Sequence, residues 1–198
     1  LRSMVETFYR EGKEILLLSY TNRAVDEICK MLTAITPEVD FIRIGSELSC
    51  DEVYRPHLIE NMLESCSTRR EVQERMARCR IFVGTVATLS AKTELFRLKT
   101  FDVALIDEAT QILEPQLLGL LCMRSVAGGN AIGKFVLIGD HKQLPAVVLQ
   151  SSEQSEVYDE GLRTIGLCNL KDSLFERFYR TDASRNSSKG GSGIGLSI

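Results

Sequence analysis

Two carboxylates in succession, Asp107 and Glu108, close the apolar run Val103-Ala104-Leu105-Ile106. In an open parallel sheet ligands bind beyond the carboxyl ends of the strands, so a strand over these four residues would deliver both acids into a binding crevice. There, one carboxylate can hold the hydration shell of Mg²⁺ while its neighbour orients an attacking water and takes its proton. An acidic pair in an ordinary turn would look the same in isolation. About thirty residues further on, a second apolar run ends in Gly139-Asp140-His141-Lys142-Gln143-Leu144-Pro145. Two polar steps earlier in the chain also follow apolar runs. In Ser19-Tyr20-Thr21-Asn22-Arg23-Ala24-Val25-Asp26, a Thr-Asn pair at a helix start offers hydroxyl, amide and backbone N–H donors to a phosphate, or simply caps the helix. The stretch Gly84-Thr85-Val86-Ala87-Thr88-Leu89-Ser90 offers two more hydroxyls in a pattern that turns also use.

These groups can act together only if a scaffold brings them to one edge. Five short apolar, β-rich runs at residues 14–19, 41–44, 80–84, 102–106 and 134–138 have the near-continuous hydrophobicity of parallel strands buried on both faces. Helical stretches separate them, which predicts an α/β sheet with crossover helices. One helix is expected from near Asn22 through Ala24, Val25, Ile28, Met31 and Leu32; another follows Glu114-Pro115, where proline suits an early helical position. Residues 55–78 are too long for a simple crossover. Their Ile59, Met62, Cys66, Val72 and Met76 share one helical side, which predicts an inserted helix or helical hairpin broken near residues 65–68. Its arginines (Arg69, Arg70, Arg75, Arg78, and Arg80 beyond) read as a solvated face paired with Glu64, Glu71 and Glu74. Residues 150–161 read as a polar surface loop, and the Ser/Gly-rich stretch from 182 to 198 as poorly packed.

Bulk properties narrow the function classes. With 198 residues the chain can build one sizeable core, and no apolar run approaches the roughly 20 residues needed to span a bilayer. No membrane partner or secretory signal is therefore expected. Six cysteines without a CxxC pair, beside only two histidines, fit reduced thiols and a cytoplasmic setting better than a disulfide frame or a zinc site. A net charge of -3 leaves no broad basic footprint, so any nucleic-acid contact must be local, through backbone amides, hydroxyls and stacking.

Taken together, Asp107-Glu108-Ala109-Thr110-Gln111 and Gly139-Asp140-His141-Lys142-Gln143-Leu144-Pro145 closely resemble motifs II and III of superfamily 1 helicases. The TNxAVD step at 21–26 resembles motif Ia and the GTxxT step at 84–88 motif Ic, in the family's order. The resemblance covers about residues 14 to 177, including Ser173-Leu174-Phe175-Glu176-Arg177, and is strongest to the branch of RNA-surveillance and DNA-replication helicases. It implies a parallel RecA-like sheet of the P-loop NTPase type, flanked by helices, with a helical insertion around 55–79. It also implies ATP and Mg²⁺ as cofactors, with Asp107 as the metal carboxylate, Glu108 as the catalytic base and Gln143 as the residue coupling phosphate loss to movement. Gln111 and Asp140 would lie at the nucleotide with them, while Thr21, Asn22, Arg23, Thr85 and Thr88 would touch single-stranded DNA or RNA.

The sequence departs from that pattern in two places. No GxxxxGK[ST] phosphate loop occurs, and the second RecA-like domain expected as a partner is not recognisable either. The chain by itself is therefore expected to hydrolyse ATP negligibly, and a binding module without turnover is the alternative reading. Residues 175–185 and 190–198 resemble the ATP lid and glycine-rich box of sensor histidine kinases, which predicts a hybrid organisation: a partial motor domain at 1–177 and a flexible tail at 178–198. No other part of a kinase site accompanies that tail.

Overall fold

The computed structural model describes residues 1–35, 37, 39–140, 149–164, 168–169 and 195–196. The five expected strands form, each within a residue or two of its apolar run: β1 (Ile15–Ser19), β2 (Phe41–Ile44), β3 (Ile81–Thr85), β4 (Val103–Ile106) and β5 (Phe135–Leu137). All five are parallel in the order β2-β3-β1-β4-β5. A two-residue strand from the tail, β6 (Gly195–Leu196), adds an antiparallel pairing to β5. The other tail residues lie outside the described set.

Strand alternation sorts the core onto two faces. Ile15, Leu17, Phe41, Ile81, Val83, Val103 and Leu105 meet α1 (Arg2–Arg10) through Val5 and α2 (Asn22–Thr33) through Val25, Ile28, Cys29 and Leu32. Leu16, Leu18, Ile42, Ile44, Phe82, Ala104 and Ile106 meet the helices of the opposite layer. The connection from β3 to β4 supplies α5 (Val86–Ala91) and α6 (Leu95–Leu98) to that layer, and the one from β4 to β5 supplies α7 (Glu114–Leu121). Gly84 permits the tight seat of α5, because a Cβ there would lie 2.4 Å from Leu89 Cδ2 and 3.0 Å from the Ile44 carbonyl oxygen.

The insertion is a broken helical element, as its pattern predicts. A 3-10 segment (Glu52–His57) leads into α3 (Ile59–Leu63), and α4 (Arg69–Arg78) restarts after the break. Thr68 and Glu71 restart it with a reciprocal capping box. Ile59, Met62, Val72 and Met76 pack onto the core cluster of the α5 and α7 face. The arginine face is only partly as expected. Arg70 pairs with Glu74 at 2.8 Å in solvent, whereas Arg80 leaves that face to stack over the Tyr9 ring and donate to the Tyr9 carbonyl at 2.9 Å. The polar stretch after residue 149 is largely exposed and includes α8 (Glu160–Thr164).

Candidate nucleotide and nucleic-acid site

The sheet order creates a switch point. From β1 the chain leaves over one face through α2 toward β2, while from β4 it leaves over the other face through α7 toward β5. Because β1 and β4 are neighbours, their connections diverge to opposite faces between Ser19–Tyr20 and Asp107–Glu108, the position at which open parallel sheets bind ligands. The acid pair therefore stands where the topology favours a ligand.

Local backbone geometry aims the acids. The parallel ladder continues one bond past β4, from the Asp107 N–H to the Leu18 carbonyl at 2.8 Å. Glu108 then adopts φ 54°, ψ 36°, the only positive φ of a non-glycine residue among those described. A left-handed conformation costs an L-residue roughly 1–2 kcal/mol, and such strain persists where the surroundings over-determine it, commonly at active sites. Both carboxylates stay half-buried rather than sealed in the core. Ala109–Gln111 follows as a 3-10 turn whose first N–H is held by the Ile138 carbonyl at 2.8 Å, and Gln111 is half-buried.

That turn also meets the Gly139-Asp140 step. A Cβ at Gly139 would lie 3.0 Å from Thr110 Cγ2 and 3.2 Å from the Thr110 nitrogen, so the two backbones approach as only glycine allows. The structure thus joins the DEATQ turn to the start of GDHKQLP. Asp140 is exposed beside it; Gln143, with 141–148, lies outside the described residues, as does the 173–177 string.

The hydroxyl steps occupy the same edge. Thr21 caps α2 by accepting from the Ala24 N–H at 3.1 Å; Asn22 is half-buried at the first helical position and Arg23 is exposed. Thr85 caps α5 in the same way, accepting from the Thr88 N–H at 3.1 Å and bonding the Thr88 hydroxyl at 2.8 Å. The capping geometry is thus realised at both steps, while the helix-start N–H groups face the carboxyl edge of the sheet. Sequence reasoning passed over Tyr20, which is 41% exposed although it directly follows five fully buried residues. It also passed over Arg43. This arginine is wholly buried in β2, and its Nη2 pairs with Asp26 of α2 at 2.7 Å and donates to the Ser49 carbonyl at 3.1 Å. Its periodic position inside an apolar run was the available signal. Nearby, burial pushes the Cys29 thiol up to about 12 against the pull of the Arg43 guanidinium, so it stays protonated at neutral pH.

Among the described residues, two hydroxyls at this edge have no partner. Ser19 Oγ and Thr110 Oγ1 are buried without a hydrogen bond, an omission that costs roughly 1–3 kcal/mol per group unless a ligand or water supplies it. The donor set suits magnesium. Asp107 and Glu108 offer hard carboxylate oxygens, and no group of three or more His, Cys, Asp or Glu side chains that could hold a metal occurs among the described residues. A site with one or two carboxylates, completed by waters and phosphate oxygens, is the arrangement Mg²⁺ takes in nucleotide enzymes.

A parallel α/β sheet with crossover helices on both faces and a glycine step packed on the turn after β4 define a RecA-like α/β domain. A family model described as an AAA domain matches residues 59–151. The chain is 35% identical over 152 residues to the DNA replication ATP-dependent helicase/nuclease JHS1 of Arabidopsis thaliana, an alignment covering 77% of this chain and 10% of that protein. It is 30% identical over 176 residues to the DNA replication ATP-dependent helicase/nuclease DNA2 of Bos taurus, covering 88% and 14%. With the protein of that name from Homo sapiens it shares 29% over 183 residues, covering 92% and 15%. The chain belongs to the superfamily 1 helicases. It spans between 10% and 15% of the length of these relatives.

Proposed function

We propose that this chain is the strand-gripping and metal-holding part of an ATP-driven helicase motor that moves along single-stranded DNA. The contact of Gly139 with the Asp107–Thr110 turn is the observation that supports the reading most, because it sets the two hydrolysis-linked steps against each other. DNA rather than RNA follows the names of the relatives, all DNA replication helicase/nucleases.

In this reading Asp107 anchors the hydrated Mg²⁺ of ATP, and Glu108 orients the attacking water and takes its proton. Magnesium, when bound, neutralises charge gathering on the phosphate oxygens. Gln111, Asp140 and Gln143 border the γ-phosphate, with Gln143 passing its loss to the strand. Thr21, Asn22, Arg23, Thr85 and Thr88 hold phosphates of the strand, and the exposed Tyr20 offers a face on which a base can stack. A phosphate loop and a second RecA-like domain of the intact protein complete the nucleotide site. A cytoplasmic setting is in keeping with six cysteines that remain thiols and with the lack, among the described residues, of a helix long and apolar enough to cross a membrane.

The decisive measurement is DNA-stimulated ATP hydrolysis by the full-length protein. Replacing Glu108 by Gln should lower kcat by on the order of 100-fold or more, as loss of a general base does, with little change in strand affinity. The 198-residue chain alone should show negligible turnover. Wild-type-like turnover by the Glu108→Gln protein would contradict the assignment, whereas Mg²⁺-dependent hydrolysis by the isolated chain that this substitution abolishes would overturn the expectation that the chain alone is inactive. A second reading, strand binding without hydrolysis, is favoured by the absence of GxxxxGK[ST] from these residues, and it predicts no stimulated turnover in the full-length protein either.

A further inference from the structure

The register of the sheet places three side chains in one row. Ser19 pairs with Thr85 of β3 on one side, and on the other the ladder step from Leu18–Ile106 sets Ser19 beside Asp107. Strand alternation turns all three toward the α2 face: Leu17, Val83 and Leu105, each two residues earlier, belong to that face's core cluster. Neighbouring strands stand only ~4.8 Å apart. The middle member of the row has no exposed surface, and its hydroxyl has no partner among the described residues.

We infer that Ser19 is a positioning residue linking the metal carboxylate to the strand-binding edge. The inference rests on the proposed motor function and concerns how its two halves communicate. A serine hydroxyl can donate one bond and accept two, and its proton turns freely about the C–O bond. Among the described residues it has a partner for neither capacity. A metal held by Asp107 would fix that carboxylate, and the fixed carboxylate would then offer the Ser19 hydroxyl a defined acceptor. The hydroxyl orientation set there is presented to Thr85, whose own hydroxyl is bonded to Thr88 at 2.8 Å and caps α5. The side chain therefore interacts differently in the two nucleotide states, which is what coupling between two sites requires.

The test is a binding measurement on the full-length protein. Affinity for a fluorescein-labelled oligothymidine is measured by anisotropy with and without Mg²⁺ and a non-hydrolysable ATP analogue. Wild type should show a ratio of affinities on the order of tenfold, within the usual range for coupled sites. Ser19→Ala should leave nucleotide-free affinity essentially unchanged, raise the melting temperature slightly as the unmatched hydroxyl is removed, and bring the ratio to within about twofold of unity. Asp107→Asn should abolish the ratio too, and the double variant should lose no more than either single one, the mark of residues acting in series. A ratio retained in Ser19→Ala, a fall in its nucleotide-free affinity, or additive losses in the double variant would overturn the link while leaving the motor reading intact. A wild-type protein whose strand affinity ignores the nucleotide would instead remove the motor reading, and this link with it.

Discussion

The two ends of the sheet treat polar groups in opposite ways. At the amino end the prominent ones are held by ion pairs and backbone bonds. Asp102 accepts from the Glu14 N–H at 2.8 Å, and Arg80 is held by the Tyr9 carbonyl and ring. Buried Lys99 pairs with Glu14 at 2.7 Å and donates to the carbonyls of Met76, Ala77 and Cys79, closing the end of α4. At the carboxyl end Ser19 and Thr110 keep buried hydroxyls unmatched, and Glu108 holds a left-handed backbone. Both ends come from the same strands, so the difference lies in what each end is for: one closes the fold, and the other keeps its polar capacity for ligands. It also teaches where to look for function in a domain whose acids show no other peculiarity.

Substitutions can break this contrast or sharpen it. The largest stability effect belongs to the amino end. Lys99→Met should destabilise by roughly 3 kcal/mol, because removing one partner of a largely buried pair strands the other and three carbonyls with it; urea unfolding gives the value, and a loss near zero would dissolve the contrast. At the carboxyl end the sign should reverse. Glu108→Gly should raise stability by about 1 kcal/mol as left-handed strain is relieved, while turnover in the full-length protein disappears; a destabilised variant would mean that the backbone there is not strained. The smallest effect lies away from both ends. Glu71 accepts from the Ser67 and Thr68 N–H groups, which hold its carboxyl below the usual range. With the folded-state pKa depressed, its contribution is complete above the unfolded value of roughly 4.3 and is lost as pH falls through the folded one. Unfolding curves at pH 6 and in mild acid should therefore show a slightly steeper acid loss in wild type than in Glu71→Gln.

Much of the fold was legible because parallel strands buried on both faces leave an unambiguous apolar record. Runs such as Leu16-Leu17-Leu18 and Val103-Ala104-Leu105-Ile106 could hardly be anything else. The helix starts at Asn22 and Glu114 were legible from their caps and proline, as was the break before Arg69. α1 was not, since its apolar face of Val5 with Met4 and Phe8 sits in a short, charged segment. The acid pair and the glycine-aspartate step could be read from types and spacing. Three things depended on long-range geometry that local pattern does not encode. The Arg43–Asp26 pair joins residues 17 apart, Arg80 reaches 71 residues back to Tyr9, and the Thr85-Ser19-Asp107 row exists only once the register is fixed.

Arg43 has a mechanical consequence. A guanidinium enclosed in β2 and fastened to Asp26 acts as a rivet between the outermost strand and the helix whose first turn bears Thr21 and Asn22. Tension applied to that turn is handed sideways into the sheet margin, so α2 travels with the slab beneath it and does not pivot alone.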